Sequence, residues 1–349
     1  MASTTETPFI EEWVPGPRST SFYTRTYLPS LTPKATIVFV HGFAEHIGRY
    51  AHFHPLLTSR GIAVFAYDQR GFGLTALDTK GHKSRDSSYG KTSWEEQMED
   101  IEWAVGHAKK IREGIPLFLM GHSMGGEEVL GFGCRTKSTS VLSDLTAIIA
   151  TSPLIQQTHP SPKLAKWVGG KLSALAPGFM VPAKVEATQL SHDPAVFKAY
   201  AEDPLVKMSG SLRGLNDMLT KADWLFATGH SEWKKDLPVL IIHGTDDQVT
   251  SCKASQTFHD SLPEGANKKI QLFEGGYHEL HNEPDGVKEK LADRIIAYIE
   301  EQIAAGSSEA VARTSNSATS AKAVTTLDAQ EPAAGVVVVG QSETPKPKI

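Results

Sequence analysis

Cysteine is scarce, with only Cys134 and Cys252 in a chain of 349 residues. Two thiols make neither a disulfide framework nor a thiolate cluster for a metal. A basic excess is also missing, because 35 Lys and Arg face 40 Asp and Glu for a net charge of -5. Without a positive field, nucleic acid is not an expected partner. Long apolar runs are absent too. Even the valines at 336–339 span a few residues inside a polar tail, far short of the ~20 needed to cross a bilayer. Membrane contact is therefore expected to be peripheral. The first nine residues lack the apolar stretch of a secretion signal, so the reading is a cytoplasmic chain. His52 and His54 form an H-x-H pair with no accompanying Asp, His or Cys cluster, and Gly169-Gly170-Lys171 lacks the spacing of a phosphate-binding loop. No metal and no cofactor are expected.

What is present is a chain with 40% hydrophobic residues, enough for one large core. Short apolar runs rich in Ile, Val and Phe recur at 35–40, 62–67, 115–120, 145–151, 238–243 and 269–273. They do not alternate with polar residues, the pattern of strands buried on both faces of a parallel sheet. Between them, Trp94, Met98, Ile101, Val105 and Ala108 recur at helical spacing behind a Ser93/Glu96 capping box, predicting a helix over 93–112. A last helix is predicted over 287–303 on the stripe Leu291, Ile295, Ile299. The fold class is α/β, with a mostly parallel central sheet flanked by helices and entered through an antiparallel hairpin at 9–28. The alternation stops between 152 and 237. The domain reading is a core at 1–154 and 237–304, a helical cap inserted at 155–236, and a low-complexity tail at 305–349 too poor in large apolar residues to order. Within the cap, Leu164, Trp167, Val168, Leu172 and Leu175 form a helical stripe read as core-facing, with lipid contact as a second use.

The most informative stretch is Gly121-His122-Ser123-Met124-Gly125, directly after the run at 115–120. Small residues two places either side of a serine permit the sharp strand-to-helix turn that presents a nucleophilic hydroxyl. Gly229-His230-Ser231 repeats the triplet but is followed by Glu232 and Trp233, so Ser231 is not a candidate. A serine hydroxyl needs a general base, and the base needs an orienting carboxylate, in the chain order Ser, acid, His. Downstream, the run at 238–243 leads into Gly244-Thr245-Asp246-Asp247, and that at 269–273 into Gly275-Gly276-Tyr277-His278. Both lie at the carboxyl ends of strands, where open α/β sheets carry their sites. The acid commonly stands three places after the glycine ending the strand, which selects Asp247 over Asp246. The position directly after the Gly-Gly-Tyr turn favours His278 over His281. Two backbone N–H groups are needed for an oxyanion hole, and Met124 and Phe43 are placed to supply them. Asp68, after the run at 62–67, is read as a structural acid pairing with its loop or with Arg70.

The stretches Val40-His41-Gly42-Phe43-Ala44-Glu45-His46 with Arg49-Tyr50, Tyr67-Asp68-Gln69-Arg70-Gly71-Phe72-Gly73, Gly121-His122-Ser123-Met124-Gly125-Gly126 and Tyr277-His278-Glu279-Leu280-His281 together resemble the monoacylglycerol lipases, over roughly 9–303. The resemblance implies an α/β-hydrolase fold with a mobile cap, a monoacylglycerol or similar lipid ester as substrate, and a Ser123, Asp247, His278 triad. It further implies a polar recess for the glycerol head group at Glu45, Arg49, His122, Tyr200 and His281, and peripheral contact of the cap with a membrane or lipid droplet. Other esters, such as lysophospholipids, and a non-turning-over receptor on the same scaffold are the alternatives. At Ala44 the chain departs from the glycine common in that family.

Overall fold

The computed structural model describes residues 8–111, 113–135, 139–160 and 163–325. The described residues fall into two units, one up to Ile303 and one from Ala304. Ten strands are present among the described residues: β1 Ile10–Pro15, β2 Ser21–Tyr27, β3 Ala35–Val40, β4 Ile62–Tyr67, β5 Leu117–His122, β6 Ala147–Thr151, β7 Met180–Pro182, β8 Ser209–Ser211, β9 Val239–Gly244 and β10 Lys268–Phe273. Eight make the main sheet in the order β1-β2-β4-β3-β5-β6-β9-β10. β1 and β2 pair antiparallel, as does β2 with β4, and the six strands from β4 to β10 run parallel.

Successive residues of these strands feed two separate cores, the physical reason for their unbroken apolar runs. Val38, Val40, Phe65, Leu119, Ile148 and Ile241 face one side, against Met98, Ile101 and Val105. Ile37, Phe39, Val64, Met120, Ile149 and Ile242 face the other, against Leu57, Leu291, Ile295 and Ile299. The helices among the described residues are α1 His54–Thr58, α2 Gly73–Leu77, α3 Trp94–Ile111, α4 Met124–Gly133, α5 Thr139–Leu142, α6 Lys163–Leu175, α7 Pro194–Glu202, α8 Leu212–Ala227, α9 Cys252–Ser261 and α10 Val287–Thr325. Among the described residues none is long and apolar enough to cross a membrane. Ser93 begins α3 as its capping box requires, with its Oγ 2.8 Å from Glu96 Oε2 and accepting from Glu96 N at 3.4 Å.

The structure differs from the sequence reading in two places. The last helix runs past 303 to Thr325, because Ala-rich sequence with Glu309 and Arg313 has good helix propensity and no proline before Pro332. Residues 326–349, the rest of the expected tail, lie outside the described residues. Asp68 is the structural acid expected and pairs with its loop, but the alternative partner Arg70 is not used. Its carboxylate accepts from the N–H groups of Ile47 and Leu74 at 2.8 and 2.6 Å, while Arg70 grips Asp100 through two bonds of 2.9 and 2.7 Å. In the segment between β6 and β9, the α6 stripe is not core-facing throughout: Val168, Leu172 and Leu175 are exposed, Leu175 at 82%. The neighbouring helix of this segment, α8, covers only part of its surface.

Helix α4 carries an unusual feature. Glu127 and Glu128 are fully buried, and none of their carboxylate oxygens has a hydrogen-bond partner among the described residues. Burial pushes both far above the usual carboxylate range; Glu128 and Asp223 add to it at Glu127, and Asp100 at Glu128. Both carboxyls are therefore harder to ionise in the folded protein than in the unfolded chain, where they ionise above about pH 4.3. Stability is expected to fall as pH rises from there through the folded-state values, by about 1.4 kcal/mol per pH unit for each group. Glu127→Gln and Glu128→Gln should each flatten the decline in Tm between pH 6 and 9; an unchanged decline would show that these carboxyls are already ionised in the fold.

Candidate active site

β5 ends at His122 and α4 begins at Met124, so a single residue, Ser123, makes the turn. It does so at φ 58 and ψ -117, a conformation that costs a non-glycine residue on the order of 1–3 kcal/mol and persists only where the surroundings impose it. The surroundings are tight. A Cβ on Gly121 would lie 2.1 Å from the Gly125 carbonyl oxygen, and one on Gly125 2.2 Å from that of Val40. The Ser123 N–H donates to Thr151 in β6 at 3.0 Å, and its carbonyl accepts from Glu127 and Leu154.

Ser123 Oγ lies 2.9 Å from His278 Nε2, and His278 Nδ1 2.8 Å from Asp247 Oδ2. His278 and Asp247 come from the loops after β10 and β9, both buried. Asp247 Oδ1 accepts from the N–H groups of Val249 and Thr250 at 2.7 and 2.9 Å. Its Oδ2 also faces Thr250 Oγ1 at 2.8 Å and His243 Nε2 at 3.1 Å. Burial works against the Asp247 carboxylate, yet His278 and the hydrogen bonds from His243 and His278 hold it well below the usual range. Burial likewise opposes a charge on His278, and Asp247 outweighs it, raising His278 above the ordinary histidine value. Ser152 Oγ donates to the His278 carbonyl at 2.8 Å, and the Thr250 hydroxyl sits 3.0 Å from the Ser152 carbonyl. The two loops and the end of β6 are thus locked together. Asp246 is exposed, with its Oδ1 3.3 Å from Thr245 Oγ1. Ser231 Oγ donates to the nearby Thr228 carbonyl.

The loop after β3 passes directly over Ser123: a Cβ on Gly42 would sit 3.1 Å from Ser123 Cβ. Phe43 follows, then Ala44 at φ 57, the left-handed region that favours glycine. Met124 is the first residue of α4, where helix N–H groups have no intrahelical acceptor. Beneath the loop lies a buried ionic cluster. Arg49 reaches Glu45 at 2.7 Å and clasps Glu279 at 2.7 and 2.8 Å, while Glu45 Oε1 accepts from Gly42 N and from Tyr50 OH. Burial opposes the Glu279 charge, but Arg49 holds it low; burial pushes Glu45 up against the pull of Arg49, with Glu279 adding to it. Tyr200 covers this cluster, with the Arg49 guanidinium 4.8 Å from its ring centroid. His122 and His281 stand beside His278, His122 with ring centroids 4.8 Å from His278 and 4.9 Å from His281, which stacks on Tyr50 at 4.4 Å. Burial first, then neighbouring positive groups, brings His122 down to about 3 and His281 well below its ordinary value, so both are neutral. His281 Nε2 is buried with no hydrogen-bond partner among the described residues.

The five residues expected at a head-group recess therefore fall into one cluster against His278. Glu279, Thr250, Ser152 and His243 were missed by the sequence reading. Glu279 and Thr250 carried a signal in their nearness to His278 and Asp247, whereas Ser152 and His243 are brought in by the sheet. Among the described residues no group of His, Cys, Asp and Glu is placed to hold a metal ion. His52 Nε2 donates to the His281 carbonyl, and His54 is buried among Tyr27, Phe39 and Tyr50.

The family model Hydrolase_4, described as serine aminopeptidase, S33, matches residues 32–285. An uncharacterized abhydrolase domain-containing protein of Dictyostelium discoideum is 33% identical over 80% of this chain and 28% of its own length. A putative monoglyceride lipase of Schizosaccharomyces pombe is 33% identical over 77% of this chain and 68% of its own. The chain thus spans little more than a quarter of the first of these relatives and about two thirds of the second. Among solved structures, a soluble variant of monoglyceride lipase from Saccharomyces cerevisiae bound to a substrate analog superposes with a TM-score of 0.74, at 24% identity, over 86% of this chain and 97% of that one. A monoacylglycerol lipase of Paleococcus ferrophilus gives 0.67 at 26% identity, over 80% and 99%.

Proposed function

The chain belongs to the serine aminopeptidase S33 family, Hydrolase_4, and on that premise we propose that it is a serine ester hydrolase that cleaves monoacylglycerol to fatty acid and glycerol. The observation that carries this reading is the continuous line of bonds from Ser123 Oγ through His278 to Asp247, 2.9 and 2.8 Å long, on a serine held at a strained turn. Ser123 Oγ attacks the ester carbonyl carbon while His278 Nε2 takes its proton, and the N–H groups of Phe43 and Met124 receive the oxyanion. The tetrahedral adduct expels the glycerol oxygen, which takes the proton from His278. Water then attacks the acyl-enzyme by the same steps in reverse, releasing the fatty acid. Asp247 orients His278 and balances its transient charge.

The monoacylglycerol reading is supported by relatives named monoglyceride lipases and by the neutral, polar cluster beside His278. Glu45, Arg49, His122, Tyr200 and His281 line the head-group recess in this reading. His281 Nε2 has hydrogen-bonding capacity to spare for a glycerol hydroxyl. An aminopeptidase would need a free carboxylate to hold a peptide's amine, but Glu45 and Glu279 are both tied to Arg49. Fatty-acid release from mono-, di- and triacylglycerols and a lysophospholipid tests the assignment: release is expected from monoacylglycerol alone and falls by several orders of magnitude in Ser123→Ala. Equal release from the lysophospholipid would move the reading to another ester.

Because His278 acts as the base only when neutral, kcat/KM should rise with pH. Its midpoint should lie above the ordinary histidine value of about 6.5. A midpoint at or below that value would contradict the geometry at Asp247.

Val168, Leu172, Leu175 and Phe179 are exposed apolar residues in and after α6, Leu175 and Phe179 at 82% and 63%. In a cytoplasmic lipid hydrolase this is the surface for peripheral contact with a membrane or lipid droplet. Leu175→Asp with Phe179→Asp should reduce co-flotation with phosphatidylcholine vesicles; undiminished flotation would exclude this surface.

A further inference from the structure

The hydrogen bonds beneath the loop after β3 fix Gly42 and Glu45 but leave Phe43 and Ala44, the latter at a positive φ, to be held from above. What lies above is one stretch of the segment between β6 and β9. His46 Nε2 is 2.8 Å from Asp203 Oδ2. The Gly48 N–H donates to His46 Nδ1 at 3.1 Å, so the Nε2–H is the one that donates to Asp203. Asp203 is itself pinned, because its Oδ1 accepts from Leu205 N at 2.8 Å. Its carboxylate is held below the usual range: burial opposes the charge, and the His46 and Leu205 bonds outweigh it.

A second bridge lies four residues on. Lys207 N donates to Tyr89 OH at 2.9 Å, and that hydroxyl reaches the Ala44 carbonyl at 3.5 Å. Tyr89 is oriented for this by edge contact with Phe72, whose ring also meets Phe43. Gly210 closes against the Phe43 ring, where an added Cβ would come within 3.2 Å of Phe43 Cε2. Residues 200–210 thus meet residues 43–49 directly through Asp203 on His46, Gly210 on Phe43 and Tyr200 over Arg49, and indirectly through Tyr89, which links Lys207 to Ala44. Asp203 and Tyr89 have no hydrogen bond to Ser123, His278 or Asp247.

We propose that Asp203 and Tyr89 are positioning residues that clasp the oxyanion loop, so that the Phe43 N–H is in register for the oxyanion only while residues 200–210 are seated on it. The inference rests on the serine hydrolase reading above. Its consequence is a coupling between the inserted segment and the rate of the chemical step: the Ser123–His278 pair stays formed whether or not the clasp is closed, whereas stabilisation of the tetrahedral adduct depends on it. Losing one oxyanion donor outright costs about 10²–10³ in kcat, and loosening one should cost less.

Asp203→Ala opens the first bridge, and Tyr89→Phe removes only the hydroxyl of the second while keeping the ring against Phe72. On monoacylglycerol, kcat should fall about tenfold in Asp203→Ala and severalfold in Tyr89→Phe, with KM within about twofold of wild type. A trifluoromethyl ketone, whose hemiketal oxygen occupies the oxyanion hole, supplies the readout a merely structural role would not move. Its inhibition constant should rise by the factor by which kcat/KM falls. Wild-type kcat in both variants overturns the clasp, and so does a reduced kcat with an unaltered inhibition constant. A wild-type protein without Ser123-dependent turnover removes the functional reading and the clasp with it, whereas an active wild type with insensitive variants removes the clasp alone.

Discussion

Ser123 occupies a backbone conformation that almost no serine adopts, and the fold around it is what makes that conformation the lowest available. The turn is bounded by a strand at the centre of the sheet and by a helix buried between the two neighbouring layers, so neither flank can move to relieve it. Gly121 and Gly125 are the complement of this constraint: backbone carbonyls occupy the space that side chains would need. The hydroxyl is left 2.9 Å from Nε2 of His278, which the loop after β10 delivers. Strain, close packing and chemistry are here a single arrangement.

Charge is handled in the same economical way. The Asp247 carboxylate is nearly enclosed yet remains ionised, because two backbone N–H groups and three side chains surround it. One guanidinium, Arg49, serves two buried carboxylates, and the histidines nearest His278 are kept neutral by burial. A site of this kind presents little net charge to a substrate, which suits an uncharged ester with hydroxyl groups better than a phosphate or a peptide terminus. Burial disfavours charge on Glu127 and Glu128, next along α4, in the same way; ionised, they would set negative charge beside a helix terminus whose partial positive charge favours an oxyanion.

The core of the fold was legible in the sequence because strands buried on both faces must be apolar at every position. The runs at 35–40 and 62–67 coincide with β3 and β4 for that reason. Ser123 was legible because few sequences satisfy the steric demands of its turn. Asp247 and His278 followed from where strands end, a one-dimensional property. Thr250, Ser152 and His243 were not legible, since polar residues beside a strand end are common and only the neighbouring strand shows which of them meets the carboxylate. That Asp68 is a structural acid held by its loop was legible, whereas the choice between the loop and Arg70 was not, since two residues apart in an irregular loop they face different partners. The α6 stripe misled because helical periodicity reports that a face is apolar without reporting whether protein covers it.

By itself, the sequence determined the apolar strands of the parallel sheet, the helix before the elbow, which serine sits at that elbow, and the order of its partners, because each depends on local pattern and steric exclusion. The tertiary structure alone decided that Glu279 joins Glu45 on Arg49 across 230 residues, that residues 200–210 lie over the loop holding Phe43, and that part of the α6 stripe is left uncovered. The physical reason is common to all three. Hydrogen bonds, ion pairs and burial depend on distance in space, and contacts that span the chain leave no periodicity or spacing in it to be read.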